Sequence, residues 1–220
     1  MKKKQGVSLF VGICLFMVFV LWTVLVATVD KSPIGPNESN VGFSTLNGFV
    51  HRAIGCNMTL YTITDWLGLV PILVALGFAV LGLVQLIKRK SIKRVDRSII
   101  FLGVFYIAVI AVYIFFEFVV INYRPVLIEG KLESSYPSST TMLVMCVMST
   151  ALMQLGERMK NKTIRIVINS CISLFIAFMV ITRAISGVHW ISDIIGGCLI
   201  SGCLVSLYSF LISKKKSLAE

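Results

Sequence analysis

The chain has 220 residues, of which 57% are hydrophobic and 14% are charged, and its mean hydropathy is +0.90. These values exclude an ordinary soluble domain of this size and predict an integral membrane protein. The net charge of +11 does not indicate a nucleic-acid partner, because Lys and Arg stand in short clusters beside apolar runs and lack interleaved aromatic residues. We interpret the clusters as a topology signal and expect no nucleic-acid binding.

The first apolar run covers residues 6–29 and follows three lysines. At about 1.5 Å per residue it crosses a hydrocarbon core of roughly 30 Å. A cleaved signal peptide is the alternative, but its apolar region usually has only about 7 to 15 residues, so a retained span is favoured. Within the polar stretch 30–66, residues 41–54 place apolar side chains on one helical face. That pattern fits either a short helix in the membrane interface or a plain connecting loop.

Five further apolar runs predict the remaining spans. The third span ends before Arg124-Pro125, because the residue before a proline disfavours the helical region. The fourth follows Ser138, which is a plausible N-cap. The sequence therefore predicts one all-α domain, residues 1–220, built as a bundle of six transmembrane helices. The predicted spans are 6–29, 67–87, 99–121, 139–155, 166–185 and 190–212.

The basic residues indicate how this bundle is oriented. Of the 21 Lys and Arg residues, 16 lie in the N-terminus, in the loops around 88–97 and 158–165, and in the tail at 214–216. Six spans place these four segments on one side of the membrane. By the positive-inside rule both termini are cytoplasmic. We expect a multi-pass protein of the plasma membrane, with its other loops extracytoplasmic.

The segment joining the last two spans carries a catalytic pattern. Arg183 stands six residues before His189, and Asp193 stands four residues after it. If a helix begins near His189, Asp193 shares its face, accepts a hydrogen bond from one ring nitrogen and leaves the other free as a nucleophile. Ser186-Gly187 permits a turn that brings Arg183 back beside the histidine.

Interfacial anchoring is the alternative interpretation of these polar residues. Anchors placed by chance would be divided between both membrane faces. Here the polar residues of interest all fall at the outer ends of spans three to six, which favours a shared site. These residues are Arg124, Pro137-Ser138, Arg183, His189 and Asp193.

The segment resembles the third signature of the type 2 phosphatidic acid phosphatase superfamily, which reads Ser-Arg, five residues, His, three residues, Asp; here Thr182 replaces the Ser. The family's first signature is Lys, six residues, Arg-Pro, and it aligns with Glu117 to Arg124-Pro125. The second signature, Pro-Ser-Gly-His, aligns with residues 137–140. Two family residues are therefore replaced: Glu117 stands for the Lys and Thr140 for the His.

The resemblance implies a membrane lipid phosphatase that works through a phosphohistidine. His189 is the implied nucleophile, and Asp193 orients and stabilises its ring. The phosphate is held in the family by residues that correspond to Arg124, Ser138, the amide of Ser139, and Arg183. The free N–H groups at the start of the fourth span also face the phosphate.

Candidate substitutes exist for the two missing groups. Lys131, in the loop after Arg124, is a candidate for the missing cation, whereas Glu117 is expected to pair with Arg124 or Lys131. In the family, the His at the position of Thr140 is the general acid that protonates the leaving oxygen, and Thr140 does not give up a proton usefully near pH 7. His51 lies in the first loop on the same outer side and is a candidate replacement acid; the alternative is an exposed loop histidine without a role.

The absence of the family's general-acid histidine leads to an expectation about the substrate. General acid catalysis is typically worth ~10²- to 10⁴-fold, and an alkoxide leaving group needs it, because its conjugate acid has a pKa near that of water, about 15.7. A phosphate ester leaving group, with a second pKa of about 6, hardly does. We therefore expect a lipid diphosphate such as undecaprenyl diphosphate to be favoured over phosphatidic acid.

Two other function classes remain open on the sequence. A catalytically weak or inactive relative would bind or move anionic lipids, and an unrelated transporter or channel would make the signatures coincidental. For the enzyme we expect a lipid phosphate substrate and membrane lipids as partners. The sequence shows no acidic metal-binding cluster, and we expect neither a metal nor a cofactor.

Overall fold

The computed structural model describes residues 2–216, with the side chains of residues 5–213. Met1, residues 217–220 and the side chains of the basic clusters at 2–4 and 214–216 lie outside the described residues. The described part is helical and contains no strand, which confirms the all-α prediction. Its α-helices are α1 (Lys2–Thr28), α2 (Ser44–Ile54), α3 (Met58–Leu67), α4 (Leu69–Arg89), α5 (Arg97–Phe118), α6 (Ser139–Arg158), α7 (Lys162–Ile185) and α8 (Ile191–Lys216).

Six helical segments are long and apolar enough to cross a membrane, so the chain is a multi-pass membrane protein. Their number and order confirm the predicted six-helix bundle. An even number of crossings places the two ends of the chain on one side, and we call the opposite side the loop side. The segments are Gln5–Thr28, Met58–Arg89, Arg97–Phe118, Ser139–Arg158, Lys162–Ile185 and Ile191–Ser213.

The second span begins nine residues earlier than predicted, at Met58 instead of 67. Asn57 caps α3, because its side chain accepts the backbone N–H three residues later at 3.0 Å. The added residues belong to the predicted polar stretch 30–66 and include Thr62 and Thr64. Each hydroxyl donates to the backbone carbonyl four residues earlier at 2.9 Å, which satisfies it within the helix.

The most buried span is α6, in which half of the best apolar window is inside the protein. It contacts α4, α5, α7 and α8, while α1 packs along α8. Small residues on α8 permit close approach of neighbouring segments. A Cβ at Gly196, for example, would lie 2.5 Å from the ring of Tyr136. The bundle is therefore organised around α6 and α8, whose N-terminal ends meet on the loop side.

The short helix α2 lies in the first loop, so the plain-loop alternative is wrong for residues 44–54. Its large apolar side chains, including Leu46 and Phe49, are exposed, whereas Ser44, Asn47 and Gly48 are buried against the bundle. An apolar outer face next to the membrane spans is typical of a helix that lies in the membrane interface.

Candidate active site

The turn between α7 and α8 brings the predicted residues together. Arg183 lies in the last turn of α7, and Ser186 Oγ donates to its carbonyl oxygen at 2.8 Å. Gly187 has φ +68°, and a Cβ there would lie 1.9 Å from the carbonyl oxygen of Gly55. Only glycine fits this position without displacing the backbone. The predicted turn at Ser186-Gly187 is thus present, and it packs against the loop that follows α2.

His189 is buried, with 4% of its surface exposed, and its hydrogen bonds define its tautomer. Its Nε2 lies 3.2 Å from Arg124 Nη1. A guanidinium can only donate, so Nε2 accepts and keeps its lone pair. The ring proton is therefore on Nδ1, which lies 3.0 Å from Ser135 Oγ and 3.2 Å from the Ser135 carbonyl oxygen. This tautomer leaves Nε2 as the nucleophilic nitrogen.

Electrostatics keep this ring neutral. Burial lowers the pKa of His189 well below its ordinary value, and the positive charges of Arg124 and Arg183 lower it further. A neutral imidazole has a free lone pair, whereas an imidazolium has none. The two arginines therefore attract an anion and maintain the reactive form of the histidine.

Ser135 joins His189 to Asp193, a role that no sequence pattern predicted. The predicted direct hydrogen bond between the two is not formed, because His189 Nδ1 lies 4.0 Å from Asp193 Oδ2. Ser135 Oγ lies between them: it accepts from Nδ1 and donates to Asp193 Oδ2 at 2.5 Å. The reason is that α8 begins only at Ile191, so His189 and Asp193 do not share one helical face.

Asp193 is fully buried and accepts four hydrogen bonds. Oδ2 accepts from Ser135 and from the backbone N–H of Trp190 at 3.0 Å, which caps the start of α8. Oδ1 accepts from Asn122 Nδ2 at 3.2 Å and from Ser192 Oγ at 3.3 Å. A buried carboxylate with this set of donors is held in one orientation.

A second layer of amides fixes this network to the first loop. Asn47 Nδ2 donates to Ser192 Oγ at 2.9 Å, and its Oδ1 accepts from the Ser192 backbone N–H at 3.2 Å. Asn122 Oδ1 accepts from the backbone N–H of Gly42 at 3.0 Å. Sequence reasoning missed both asparagines, since neither belongs to a signature. An asparagine placed between apolar segments could have indicated a structural role, because a buried side-chain amide needs hydrogen-bond partners.

The two arginines reach the site from different directions. Arg124 Nε forms an ion pair with Glu133 at 3.0 Å, and the backbone N–H of Arg124 donates to the Glu133 carbonyl at 3.0 Å. Arg183 is 1% exposed and lies over the ring of Tyr61, 4.6 Å from its centroid. Its Nη1 contacts Thr64 Oγ1 at 3.1 Å. Within the described part of the chain, the buried Arg183 Nε has no hydrogen-bond partner, which leaves a donor for an anion.

The expected ion pairs of Glu117 are absent among the described residues. Glu117 instead accepts a hydrogen bond from Ser134 Oγ at 2.7 Å. Arg124 is already occupied by Glu133, which is nearer in the folded loop. Lys131 is exposed at the turn formed with Ile128, and no contact of its side chain with the site is present in the described residues. The prediction that Glu117 pairs with Arg124 or Lys131 is therefore wrong.

The second signature begins α6. Ser138 is the N-cap, as predicted: its side chain accepts from the Thr141 backbone N–H at 3.5 Å, and its own N–H donates to the Asp193 carbonyl at 3.0 Å. Ser139 lines the chamber beside His189. Thr140 instead lines a groove between α5 and α6. The residue at the family's acid position thus faces the lipid side of α6.

His51, the other histidine, packs against the site from outside. Its ring lies 5.3 Å from that of Trp190 in an edge-to-face arrangement, next to His189 in the sequence. Burial lowers the pKa of His51. Its buried Nδ1 has no hydrogen-bond partner among the described residues, and its ring packs on Trp190 rather than on His189, so the geometry does not favour His51 as the replacement acid.

A small chamber beside His189 completes the site. Its volume is about 10 Å³, room for roughly one water molecule. A phosphoryl group is larger than this chamber, and Arg124 Nη1 occupies the Nε2 lone pair, so a phosphate can reach Nε2 only if Arg124 moves away from it. Among the residues that the structure describes, no group of three His, Cys, Asp or Glu side chains is placed to hold a metal ion. The chemistry offered here is a neutral nucleophilic imidazole beside two buried cations.

A family model and a solved structure are similar to this chain. Residues 115–217 match the family model of the PAP2 superfamily. The structure is similar to the crystal structure of the first transmembrane PAP2 type phosphatidylglycerolphosphate phosphatase from Bacillus subtilis, with a TM-score of 0.61 and 15% identity. The alignment covers 93% of this chain and 97% of that chain. No curated protein matches the sequence.

Proposed function

Because this chain belongs to the PAP2 superfamily, we propose that it is a membrane lipid phosphatase whose nucleophile is His189. The observation that carries the proposal is the tautomer of this buried ring. Its Nε2 lone pair faces a guanidinium 3.2 Å away, while its Nδ1 proton is held by Ser135. This arrangement supplies a nucleophile and an anion site at one point.

The reaction follows from these contacts. The phosphate of the substrate takes the place of His189 Nε2 as a partner of Arg124. Nε2 attacks phosphorus in line, the bond between phosphorus and the leaving oxygen breaks, and a phosphohistidine forms. The ring becomes positively charged, and the buried carboxylate of Asp193 stabilises it through Ser135. Water then attacks phosphorus, releases phosphate and restores the neutral ring.

The remaining site residues bind the phosphate oxygens. Arg183 offers its unpartnered Nε, and the chamber at the start of α6 offers the Ser139 amide at the positive end of the helix dipole. The Ser138 hydroxyl is the helix cap and is fully buried, so it contacts phosphate only if that cap loosens. Each of these groups is a proposed hydrogen-bond donor to the phosphate oxygens.

The proposed location of the site is the extracytoplasmic face of the plasma membrane. All site residues lie on the loop side, opposite the chain ends. The basic clusters lie on the side of the chain ends, which the positive-inside rule makes cytoplasmic. A reporter fused to the α2 loop and another fused to the C-terminus would establish the two sides.

The proposed substrate is a lipid diphosphate, cleaved between the two phosphates. Thr140 faces the lipid groove and Lys131 is exposed, so neither supplies the missing acid or cation at His189. A leaving phosphate ester does not depend on a general acid as an alkoxide does. Undecaprenyl diphosphate fits this requirement better than phosphatidic acid.

One observation favours a second candidate, a catalytically weak or inactive relative that binds or moves anionic lipids. Glu117 stands in place of the family's Lys, and in the described residues it gains no cationic partner. Both candidates keep the buried arginines and would bind an anionic lipid. They differ in turnover. An inactive relative would bind the lipid and release no phosphate.

Phosphate release from purified protein tests the proposal. We expect faster release from undecaprenyl diphosphate than from phosphatidic acid or phosphatidylglycerol phosphate, by about 10²-fold or more, because only the diphosphate has a good leaving group. A preparation of the His189→Ala variant supplies the background. Equal or faster turnover of phosphatidic acid would refute the leaving-group argument, and no release above background would favour the inactive relative.

The pH dependence of kcat/KM reports the state of His189 in the free enzyme. The lowered pKa keeps the ring neutral well below the ordinary value near 6.5. We therefore expect the acidic fall in kcat/KM to lie below pH 6.5, after correction for the substrate's own ionisation. A fall centred at or above pH 6.5 that follows no substrate titration would contradict the proposed electrostatics.

A further inference from the structure

Two cavities flank α5 on the lipid-facing surface of the bundle. The first is a groove between α5 and α6 with a volume of about 260 Å³. Val109, Ile110 and Tyr113 line it from α5, and Ser139, Thr140 and Leu143 line it from α6. We call it the α5–α6 groove. It is open to the side, since Ile110 and Tyr113 are both exposed.

This groove adjoins the catalytic chamber along three shared lining residues. Tyr113, Ser139 and Met142 line both the groove and the small chamber at His189. A lipid whose phosphate lies at His189 therefore finds the groove directly beside its leaving group. Ser139 and Thr140 belong to the first turn of α6, whereas Leu143 and Val109 lie deeper along their helices, so the groove runs from a polar mouth into an apolar interior.

The second cavity lies between α1 and α5 and is larger, about 520 Å³. A wall of three aromatic rings separates it from the chamber. The Phe116 and Tyr136 ring centroids are 5.7 Å apart, and Phe19 lies 5.9 Å from Phe116 and 6.4 Å from Tyr136. Phe116 contributes to the chamber lining, so the rings close this α1–α5 cleft toward the site.

We propose that the α5–α6 groove holds the hydrocarbon chain of the substrate while its phosphate is at His189. The proposal rests on the proposed function and adds a chain-binding site to it. Thr140 then acquires a role of its own: a small side chain in the first turn of α6 keeps the mouth of the groove open. The larger α1–α5 cleft is filled by bulk membrane lipid and does not select the substrate.

Tryptophan substitutions test this assignment, with the cleft as the matched control. Leu143→Trp and Ile110→Trp each fill the groove, and Val112→Trp adds the same ring to the α1–α5 cleft from the same helix, α5. Each variant is assayed with a long-chain lipid phosphate and with a short-chain analogue of the same headgroup below its micelle concentration. The short-chain rate also reports whether each variant is folded.

We expect the groove variants to lower kcat/KM for the long-chain lipid by about ten- to a hundredfold, because a chain that cannot be seated misplaces the phosphate. Their short-chain kcat/KM stays within about threefold of the wild type, and Val112→Trp leaves the ratio of the two substrates unchanged. Selective loss in Val112→Trp, or equal loss for both substrates in the groove variants, would overturn the proposal. Absence of turnover of both substrates by the wild type would instead count against the proposed function.

Discussion

The His189→Ala variant is expected to lose at least about 10⁴-fold in kcat, because it lacks the ring nitrogen that contacts Arg124 and attacks phosphorus in the proposed reaction. Substrate binding should be nearly unchanged, since Arg124 loses a neutral partner and keeps its charge. Removal of the ring also leaves Ser135 and Asp193 hydrogen-bonded to each other. The loss is measured as steady-state phosphate release from the best lipid substrate, with lipid binding measured separately on the same preparation.

His51→Gln is the matched control for this variant. His51 is the chain's other histidine, and its ring packs on Trp190, beside His189 in the sequence. We expect its rate to stay within a few-fold of the wild type. A His51 variant as inactive as the His189 variant would indicate that His51 is the general acid. A His189 variant with wild-type turnover would show that His189 is not the nucleophile.

The Asp193→Asn variant is expected to lose about 10²- to 10⁴-fold in kcat, by analogy with carboxylates that hold a catalytic imidazole in the right tautomer. The carboxylate accepts from four donors, among them Ser135 and Asn122. An amide has two N–H groups of its own and cannot accept all four. Ser135 must then turn, and the positive charge that develops on His189 loses its counter-charge.

Ser135→Ala separates orientation from charge in this relay. His189 Nδ1 retains the Ser135 carbonyl oxygen, 3.2 Å away, as an acceptor, so the tautomer survives. We expect a loss of only about tenfold, the size of one hydrogen bond. Measured kcat values that place Ser135→Ala level with Asp193→Asn would show that the serine, not the carboxylate, controls the ring.

Much of the fold could be predicted because a membrane constrains the sequence strongly. Apolar runs of about 20 residues must become helices, so six spans and their order followed from hydropathy alone. The limits of a span are harder to predict, as α3 shows. The hydroxyls of Thr62 and Thr64 donate to backbone carbonyls of their own helix. A hydropathy average nevertheless scores both residues as polar.

The candidate site was predictable in its residues and less so in its contacts. The spacing of Arg183, His189 and Asp193 predicted the segment, and the structure places Arg124 Nη1 3.2 Å from His189 Nε2 and Arg183 near enough for its charge to lower the pKa of the ring. The position of Ser135 between His189 and Asp193 depends on where α8 begins. Helix α8 begins two residues after His189 because of tertiary structure, which a spacing rule for helices cannot predict.

The loop after α5 explains why the predicted ion pairs of Glu117 are wrong. Glu117 and Arg124 are two helical turns apart if α5 continues, but α5 ends at Phe118. The chain then folds so that the Arg124 backbone pairs with Glu133, which also brings the two side chains together. Pairing partners across such a loop are set by its backbone, which no local pattern in the sequence specifies.

Trapping of the covalent intermediate shows whether His189 itself becomes phosphorylated. Purified protein is mixed with a lipid substrate that carries a radiolabelled terminal phosphate, quenched within one turnover, and assayed for protein-bound label at acid and alkaline pH. We predict label that is lost in acid and stable in alkali, present in the wild type and His51→Gln, and absent in His189→Ala. Acid-stable label, or label retained by His189→Ala, would contradict a phosphohistidine at His189, as would turnover that leaves no label at any quench time.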